Sequence, residues 1–600
     1  MNIIDNRINE IRRRMAEDNA DYYIVGTYDP HMSEYLSDYY KLREYLTGFT
    51  GSNGTLLVTK EEALMWTDGR YFVQADKELS GTCIKVMRGL QRGVPSLSEY
   101  VGKHVKAGET IAFNGRCMPY ILGNRLESIA TEKAANINMQ AVYGDELWEK
   151  DTASRPMDSC SHPYILEPEV TGEDTACKLE RVREYLASKN ADYLYSSKLD
   201  DIMWLLNIRG NDIECNPVLY SYCLVGRDSC LVAIKKAAVN EEIKDYFEAL
   251  NITLIYYEDY ECLFGEIREG DIVIADKNGA NYYDIKRLEA FELTDAPSVI
   301  ERYKSVKNDT EIARIKECYK EDSVVLTRFL MRLKNRVKTE TINEYEAAML
   351  LDSMRAELKD FIELSFPTIS AYGENAAMMH YEATKEKCAV LEAKGLYLVD
   401  SGAQYMTGTT DVTRTIALGP VTTDMKKHFT LALAGMLRLQ NAVFLKGCTG
   451  RNLDILAREP LWNIDVDYKC GTGHGIGYIL NVHEGPQGIR WGARAGEEEA
   501  ALKPGMIVSD EPGVYVEGQY GIRCENIILC QSKCINNDGE FLEFVPLTLV
   551  PFDKDVIDKA YLNSDDIKML NEYHKVVYES LKGSFEGEEL SWLKTATASI

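Results

Sequence analysis

Four carboxylates and one imidazole, Asp400, Asp411, His474, Glu511 and Glu525, stand inside motifs punctuated by Gly, Thr and Pro: LVDSGAQYMTGTTDVTRT, GTGHGIG, SDEPGVY and GIRCEN. They follow one another at intervals of 11, 63, 37 and 14 residues. The donor set is hard and oxygen-rich, which suits Mn(II) or Co(II) and, less naturally, Zn(II), an ion that more often collects His and Cys. Charge sets how many ions it can hold. Four carboxylates gathered at one point repel by roughly 4 kcal/mol per close pair at an effective dielectric of about 20, so without cations the cluster would take up protons. Two divalent ions cancel the four charges and leave room for one bridging hydroxide, the arrangement of a two-metal hydrolase.

Such a cluster needs strands that aim alternate residues at a common point. GLYLVDSG and GTTDVTRTIAL flank the turn residues GAQYMTG and predict a hairpin carrying one acid on each arm. In MIVSDEPGVYV and GIRCENIIL a count of two puts Arg523, Glu525 and Ile527 on one side of a second strand pair, so both hairpins can face the same point. Upstream, Ile312, Ile315, Tyr319 and Val324 or Val325 fall at helical spacing behind an Asp309/Thr310 cap, predicting a long helix that opens this part of the chain.

Nearer the N-terminus, Ile4, Ile8, Ile11 and Met15 lie at helical spacing and run through Asn19-Ala20-Asp21-Tyr22 into a strand. The phrase returns 171 residues later in KLERVREYLASKNADYLY, as Asn190-Ala191-Asp192-Tyr193. Each copy precedes an aromatic, Gly-rich stretch, YLTGFTGSNGTLLV in the first and WLLNIRGNDIECNPVLYSYCLV in the second. The chain therefore reads as α/β (α+β): two related α/β domains over 1–159 and 160–308, joined through the Pro- and Ser-rich TASRPMDSCSHPYILEPE, then a third domain over 309–600.

Composition narrows the function classes. The formal net charge is −27 and the pI about 4.9, so nucleic acid and anionic lipid would be repelled rather than gathered. No run approaches the length of a membrane span, and MNIIDNRINEIRRRMAEDNADYYIVG has no apolar leader core, so a cytoplasmic protein is expected. Fifteen cysteines, an odd number without a spaced framework, predict mostly reduced thiols, and the lone CxxxC at Cys530 and Cys534 has no partner pair for zinc. The 37 tyrosines read as core and interface.

The third domain resembles the pita-bread metallopeptidases, the group of methionine aminopeptidase, prolidase and aminopeptidase P. LTGFTGSNG, ALMWTDGRYFVQADKEL, LLNIRGNDIECNPVLYSY, SFPTISAYGENAAMMHY, GTGHGIGYILNVHEGP and the tail WLKTATASI extend the likeness to the three-domain cytosolic Xaa-Pro aminopeptidases over nearly the whole chain. The resemblance implies that Asp400 binds one metal, that Asp411 and Glu525 bridge both, and that His474 with Glu511 completes the second. It also implies that Arg523 and Tyr515 hold the ligands, that His380 and His483 contact the substrate, and that Glu511 doubles as proton carrier. The implied activity is release of an N-terminal residue that precedes proline, by attack of the bridging hydroxide, in a homodimer built through the C-terminal domain. His31, in DPHMSEY, finds no partner in the sequence, and the resemblance places it near a subunit contact. Two positions depart from the family pattern: Cys470 stands where a histidine is usual, four residues before His474, and Thr407 replaces an acid before GTTD. Two other functions use the same frame. A prolidase would cut only Xaa-Pro dipeptides, and a binding module would have shed its metals; the presence of all five ligands argues against the second.

Overall fold

The repeated Asn-Ala-Asp-Tyr phrase performs one structural task twice. A computed structural model of the chain describes residues 2–151, 155–158, 160–492 and 499–600. In it Asn19 and Asn190 turn the chain in the left-handed region, at φ 54° and 53°, a conformation that asparagine tolerates better than most residues. The aspartate two residues on then ties the new strand to its parallel neighbour. Asp21 N–H donates to Thr110 O at 2.9 Å while its carboxylate accepts from Thr110 N–H at 2.9 Å. Asp192 and Ile272 repeat the exchange at 2.9 and 3.0 Å.

The two sheets that grow from these strands share one topology. The first runs Ile84–Arg88, Ala63–Thr67, Thr55–Thr59, Tyr22–Gly26, Thr110–Phe113, Asn136–Asn138, and the second Thr253–Tyr256, Cys230–Ile234, Ser221–Gly226, Tyr193–Ser196, Ile272–Ala275, Glu292–Asp295. Parallel and antiparallel pairings fall in the same order in both. Helix Ile3–Glu17 buries Ile4, Ile8, Ile11 and Met15 against the first sheet, as their spacing predicts.

The chain divides into two compact units, Met1–Leu166 with Glu173–Ile300, and Glu167–Gly172 with Glu301–Ile600. Both N-terminal sheets thus belong to one unit. His31 is part of the reason: 2% exposed, it donates from Nδ1 to Ser197 O at 2.8 Å and accepts at Nε2 from the Tyr257 hydroxyl at 2.7 Å, among the rings of Tyr220 and Tyr222. Ser197 and Tyr257 are partners that the sequence did not disclose. Of the Pro- and Ser-rich linker, residues 152–154 and 159 lie outside the described residues.

In the second unit the predicted long helix is Asp309–Arg336, capped one residue earlier than expected. Asn308 accepts from Glu311 N–H at 3.0 Å and Glu311 returns a bond to Asn308 N–H at 2.9 Å, a reciprocal box that Asp309 and Thr310, already helical, do not form. This helix and Glu344–Ala356 bury Leu326, Phe329, Leu330 and Leu351 against one face of a three-stranded sheet, Ile369–Tyr372, Leu396–Ser401, Val412–Ala417. Helices Thr423–Gln440 and Gly450–Trp462 back a six-stranded sheet that includes Gly473–Gly475, Ile507–Asp510 and Asn526–Asn536. Among the described residues no helix is long and apolar enough to cross a membrane.

Candidate metal centre

The acids reach their positions through strand alternation. Leu396–Ser401 pairs antiparallel with Val412–Ala417, and Asp400 stands opposite Thr413. Tyr397, Val399, Val412 and Ile416 point into the helical core, which leaves Asp400, Asp411, Thr413 and Thr415 on the other face. Ala403–Tyr405 and Gly408–Thr409 close the predicted hairpin. Where the arms meet, a Cβ on Gly402 would lie 1.9 Å from Thr410 O, so only glycine fits.

The second pair of acids departs from the predicted single strand pair. Ile507–Asp510 pairs with Asn526–Asn536 in one sheet, while Gly513–Val516 pairs with Tyr520–Arg523 in another. Glu511 and Glu525 stand in the break between the two pairings. Pro512 has no N–H for a continuous ladder, although its carbonyl still accepts from Cys524 N–H at 3.1 Å. Arg523 and Glu525 do share a side, because both bond the hydroxyl of Thr413.

His474 enters on Gly473–Gly475, beside Ile507–Asp510. Gly473 permits this approach, since a Cβ there would lie 1.9 Å from Ser509 O. Nδ1 donates to Gly475 O at 2.9 Å, so the neutral ring carries its lone pair on Nε2. Nε2 lies 3.5 Å from Asp411 Oδ2 and 3.4 Å from Glu511 Oε1. One donor atom each from Asp411, His474 and Glu525 lie within 4.8 Å of one another. Asp400 Oδ2 accepts from Arg523, and its Oδ1 is buried without a hydrogen-bond partner among the described residues.

Charge makes this cluster a cation trap. Burial first, and then neighbouring carboxylates, raise Asp411 and Glu511 above the ordinary carboxyl range despite the opposing pull of His474, and burial with the charges of Asp411, Asp400 and Glu511 holds Glu525 well above that range. Burial weakens the proton's hold on His474, but hydrogen bonding to Asp411 and the charge of Glu511 outweigh it and raise the ring to about 9. The cluster thus holds protons that divalent ions would displace. The residues fit such ions: carboxylates and one tautomerically fixed imidazole converge, and one buried carboxylate oxygen has no hydrogen-bond partner among the described residues.

The supporting contacts include residues that the sequence reading missed. Arg523 donates from Nε to Thr413 Oγ1 at 2.9 Å, from Nη1 to the Tyr515 hydroxyl at 2.8 Å, and to Asp400. Thr413 passes a hydrogen bond to Glu525 Oε2 at 2.6 Å. Ser509 Oγ donates to Glu511 at 3.0 Å and accepts from His474 N–H at 3.0 Å. Buried Arg414 donates to the main-chain oxygen of Glu525 and to Val550 O at 2.6 Å. Under the His474 loop, Arg458 pairs with Asp454 at 2.7 Å and donates to Tyr468 O and Cys470 O at 2.9 and 2.8 Å. A count of two from Asp411 or Glu511 would have found Thr413 and Ser509; the i, i+4 pair Asp454–Arg458 on the buried helix face was equally readable.

The remaining candidates separate. His483 stands edge to face with His474, ring centroids 4.2 Å apart, and so belongs to the cluster's wall. His380 lies on an exposed turn beyond Gly373–Ala377. Cys470 packs beside Tyr515, and burial, with the charge of Glu511, pushes its thiol up to about 12, so it stays protonated. Thr407 turns the hairpin next to Cys318 of the long helix.

Comparison with known proteins agrees with this geometry. Residues 313–532 match the model of metallopeptidase family M24 and 540–600 the C-terminal region of peptidase M24; 7–142 and 154–311 each match the creatinase/prolidase N-terminal domain. A probable Xaa-Pro aminopeptidase P of Fusarium vanettenii is 36% identical over 99% of this chain and 98% of its own, and one of Paracoccidioides brasiliensis is 35% identical over 99% of each. The crystal structure of X-prolyl aminopeptidase from Caenorhabditis elegans, described as a cytosolic enzyme with a di-nuclear active site, superposes with a TM-score of 0.94 at 32% identity over 100% of both chains. With its paired N-terminal domains and its cluster of metal-type donors, the chain belongs to metallopeptidase family M24, among the Xaa-Pro aminopeptidases P.

Proposed function

We propose that this chain removes the N-terminal residue from peptides whose second residue is proline, using two divalent ions, Mn(II) in preference to Co(II) or Zn(II), held by Asp400, Asp411, His474, Glu511 and Glu525. The observation that carries this reading is the convergence of Asp411, His474 and Glu525 from three distant segments to within 4.8 Å. When bound, two such ions would polarise a scissile carbonyl and lower the pKa of bound water towards roughly 7.

The chain's own residues do the rest. A prolyl nitrogen carries no N–H, and on leaving it must be protonated. Glu511, whose affinity for a proton burial raises, carries that proton. Asp400, fixed by Arg523 and through it by Tyr515, faces the free α-amino group and confines cleavage to chain ends. His483, against His474, and His380 bind the substrate and steady the carbonyl oxygen as negative charge develops. The reading includes a cytoplasmic homodimer and a division of the chain at 1–159, 160–308 and 309–600.

Metal analysis of the purified protein and cleavage of an Xaa-Pro-Pro peptide beside an Xaa-Pro dipeptide test it. Two bound ions and tripeptide cleavage are expected. Activity on the dipeptide alone would make the protein a prolidase, and failure to bind Mn, Co or Zn would make it a binding module.

A further inference from the structure

Glu344 opens helix Glu344–Ala356 as a buried residue, and both of its carboxylate oxygens serve one loop. Oε1 accepts from Tyr372 N–H at 2.6 Å, and Oε2 from the Tyr381 hydroxyl at 2.8 Å and Ala389 N–H at 2.6 Å. The Asn375 side-chain amide donates to both oxygens, at 3.1 and 3.0 Å. These donors bracket His380: Tyr372 and Asn375 precede it, Tyr381 follows it directly, and Ala389 stands where the loop returns. The main chain of Glu344 is tied to the same place, its N–H donating to Ala389 O at 3.0 Å and its carbonyl accepting from Ser370 Oγ at 2.7 Å. The loop leaves from the strand beside the one that carries Asp400, since Ile369–Tyr372 pairs with Leu396–Ser401 and sets Ile369 opposite Asp400. Its first turn, Gly373–Ala377, presses on strand Tyr520–Arg523, where a Cβ on Gly521 would lie 1.7 Å from Ala376 O. Tyr381 packs against the cluster of Ile369, Ala371, Ala376 and Leu398 while its hydroxyl reaches Glu344. The residue next to His380 is thus anchored at both ends, on the sheet that holds Asp400 and on a buried carboxylate.

We propose that Glu344 is a positioning residue for the reaction, fixing loop 372–389 so that His380 meets the substrate carbonyl. The proposal rests on the role given to His380 under Proposed function. A carboxylate suits the task because it accepts at both oxygens, so N–H groups from the outgoing and returning arms of the loop can meet on one side chain. Glutamine has the same shape, but its NH2 would face either Tyr372 N–H or Ala389 N–H whichever way the amide lay, and one of the two arms would lose its tie. Small displacements matter at a reacting centre: a shift of about 1 Å can cost about 10²-fold in rate.

Glu344→Gln, His380→Ala and the double variant of the full chain test this. Cleavage of an Xaa-Pro-Pro peptide would be followed together with Mn(II) affinity and hydrogen exchange at the amides of Tyr372 and Ala389. Glu344→Gln is expected to lower kcat/KM about 10- to 100-fold, to keep its Mn(II) affinity, and to speed exchange at one of the two amides. In the His380→Ala background it should change kcat/KM by less than about twofold, because both substitutions act through one group. Where Glu344→Gln does not fold, Tyr381→Phe takes its place: it removes one donor, keeps the ring, and should show a smaller loss with the same dependence on His380. A loss in His380→Ala with none in the Glu344 variant or its substitute, losses that multiply in the double variant, or a fall in Mn(II) affinity that accounts for the lost activity would each overturn the role of Glu344 and spare that of His380. Unchanged kinetics in His380→Ala would overturn both.

Discussion

Thr413 offers the sharpest test of how the ligands are held. Its hydroxyl lies 2.9 Å from Arg523 Nε and 2.6 Å from Glu525 Oε2. A guanidinium can only donate, so Thr413 Oγ1 accepts from Arg523 and must give its single hydrogen to Glu525. Thr413→Val keeps the shape and the branched side chain of the strand but removes both bonds. Arg523 retains Tyr515 and Asp400, so most of the cost falls on Glu525, which is 1% exposed. A hydrogen bond to a charged group contributes about 1.5–3 kcal/mol, equivalent to a loss of metal affinity of roughly 10- to 100-fold. Activation curves in Mn(II) buffers, with calorimetric titration of the metal-free protein, would measure it. Metal affinity and kcat/KM within twofold of the parent protein would refute the claim that Thr413 sets the Glu525 carboxylate.

Other consequences are as open to measurement. Glu525→Ala should abolish turnover with the far-ultraviolet circular dichroism unchanged; chelation should inactivate the parent protein and Mn(II) restore it. His483→Ala should lower kcat by about 10² to 10⁴ if the ring works on the carbonyl, whereas unchanged kinetics would assign it to packing. Arg458→Met leaves Asp454 buried without its cation and should cost about 3–5 kcal/mol in thermal or urea unfolding, part of which Arg458→Met with Asp454→Leu should recover. Burial holds His31 and His574 at about 3, below the ordinary 6.5. Their neutral forms stabilise the fold fully above pH 6.5, and that stability falls as pH drops towards 3, by at most about 1.4 kcal/mol per pH unit for each ring. His31→Gln should flatten the fall between pH 7 and 5 in urea melts; a slope equal to the parent's would remove His31 as a contributor.

What the sequence discloses here follows from range. The repeated Asn-Ala-Asp-Tyr phrase is readable because everything it does is local: a left-handed turn at Asn19, then an aspartate clamping the next parallel strand. The first hairpin is readable for the same reason, since period two and a Gly-rich turn place Asp400 and Asp411 on one face. The count fails between Asp510 and Glu525, where Pro512 interrupts the ladder and the chain changes sheets. No local pattern announces that step, because it depends on two partners distant in sequence, Asn526–Asn536 on one side and Tyr520–Arg523 on the other.

That same break is what makes the centre possible. Inside a continuous ladder, residues on one face stand at fixed spacing, and Glu511 would be tied to the direction of Ser509. Ending one pairing before Glu511 and beginning another at Gly513 lets its carboxyl be placed by contacts instead: Ser509 Oγ at 3.0 Å, the imidazole of His474 at 3.4 Å, and Thr472 O holding its N–H at 2.8 Å. Restoring a ladder there should therefore act on metal binding rather than on folding. Pro512→Ala returns an N–H to the break while leaving the side chain of every ligand intact. If the break positions Glu511, this variant should melt at or above the parent temperature and bind Mn(II) more weakly; equal metal affinity would show that Ser509 and Thr472 position the carboxyl without help from the interruption.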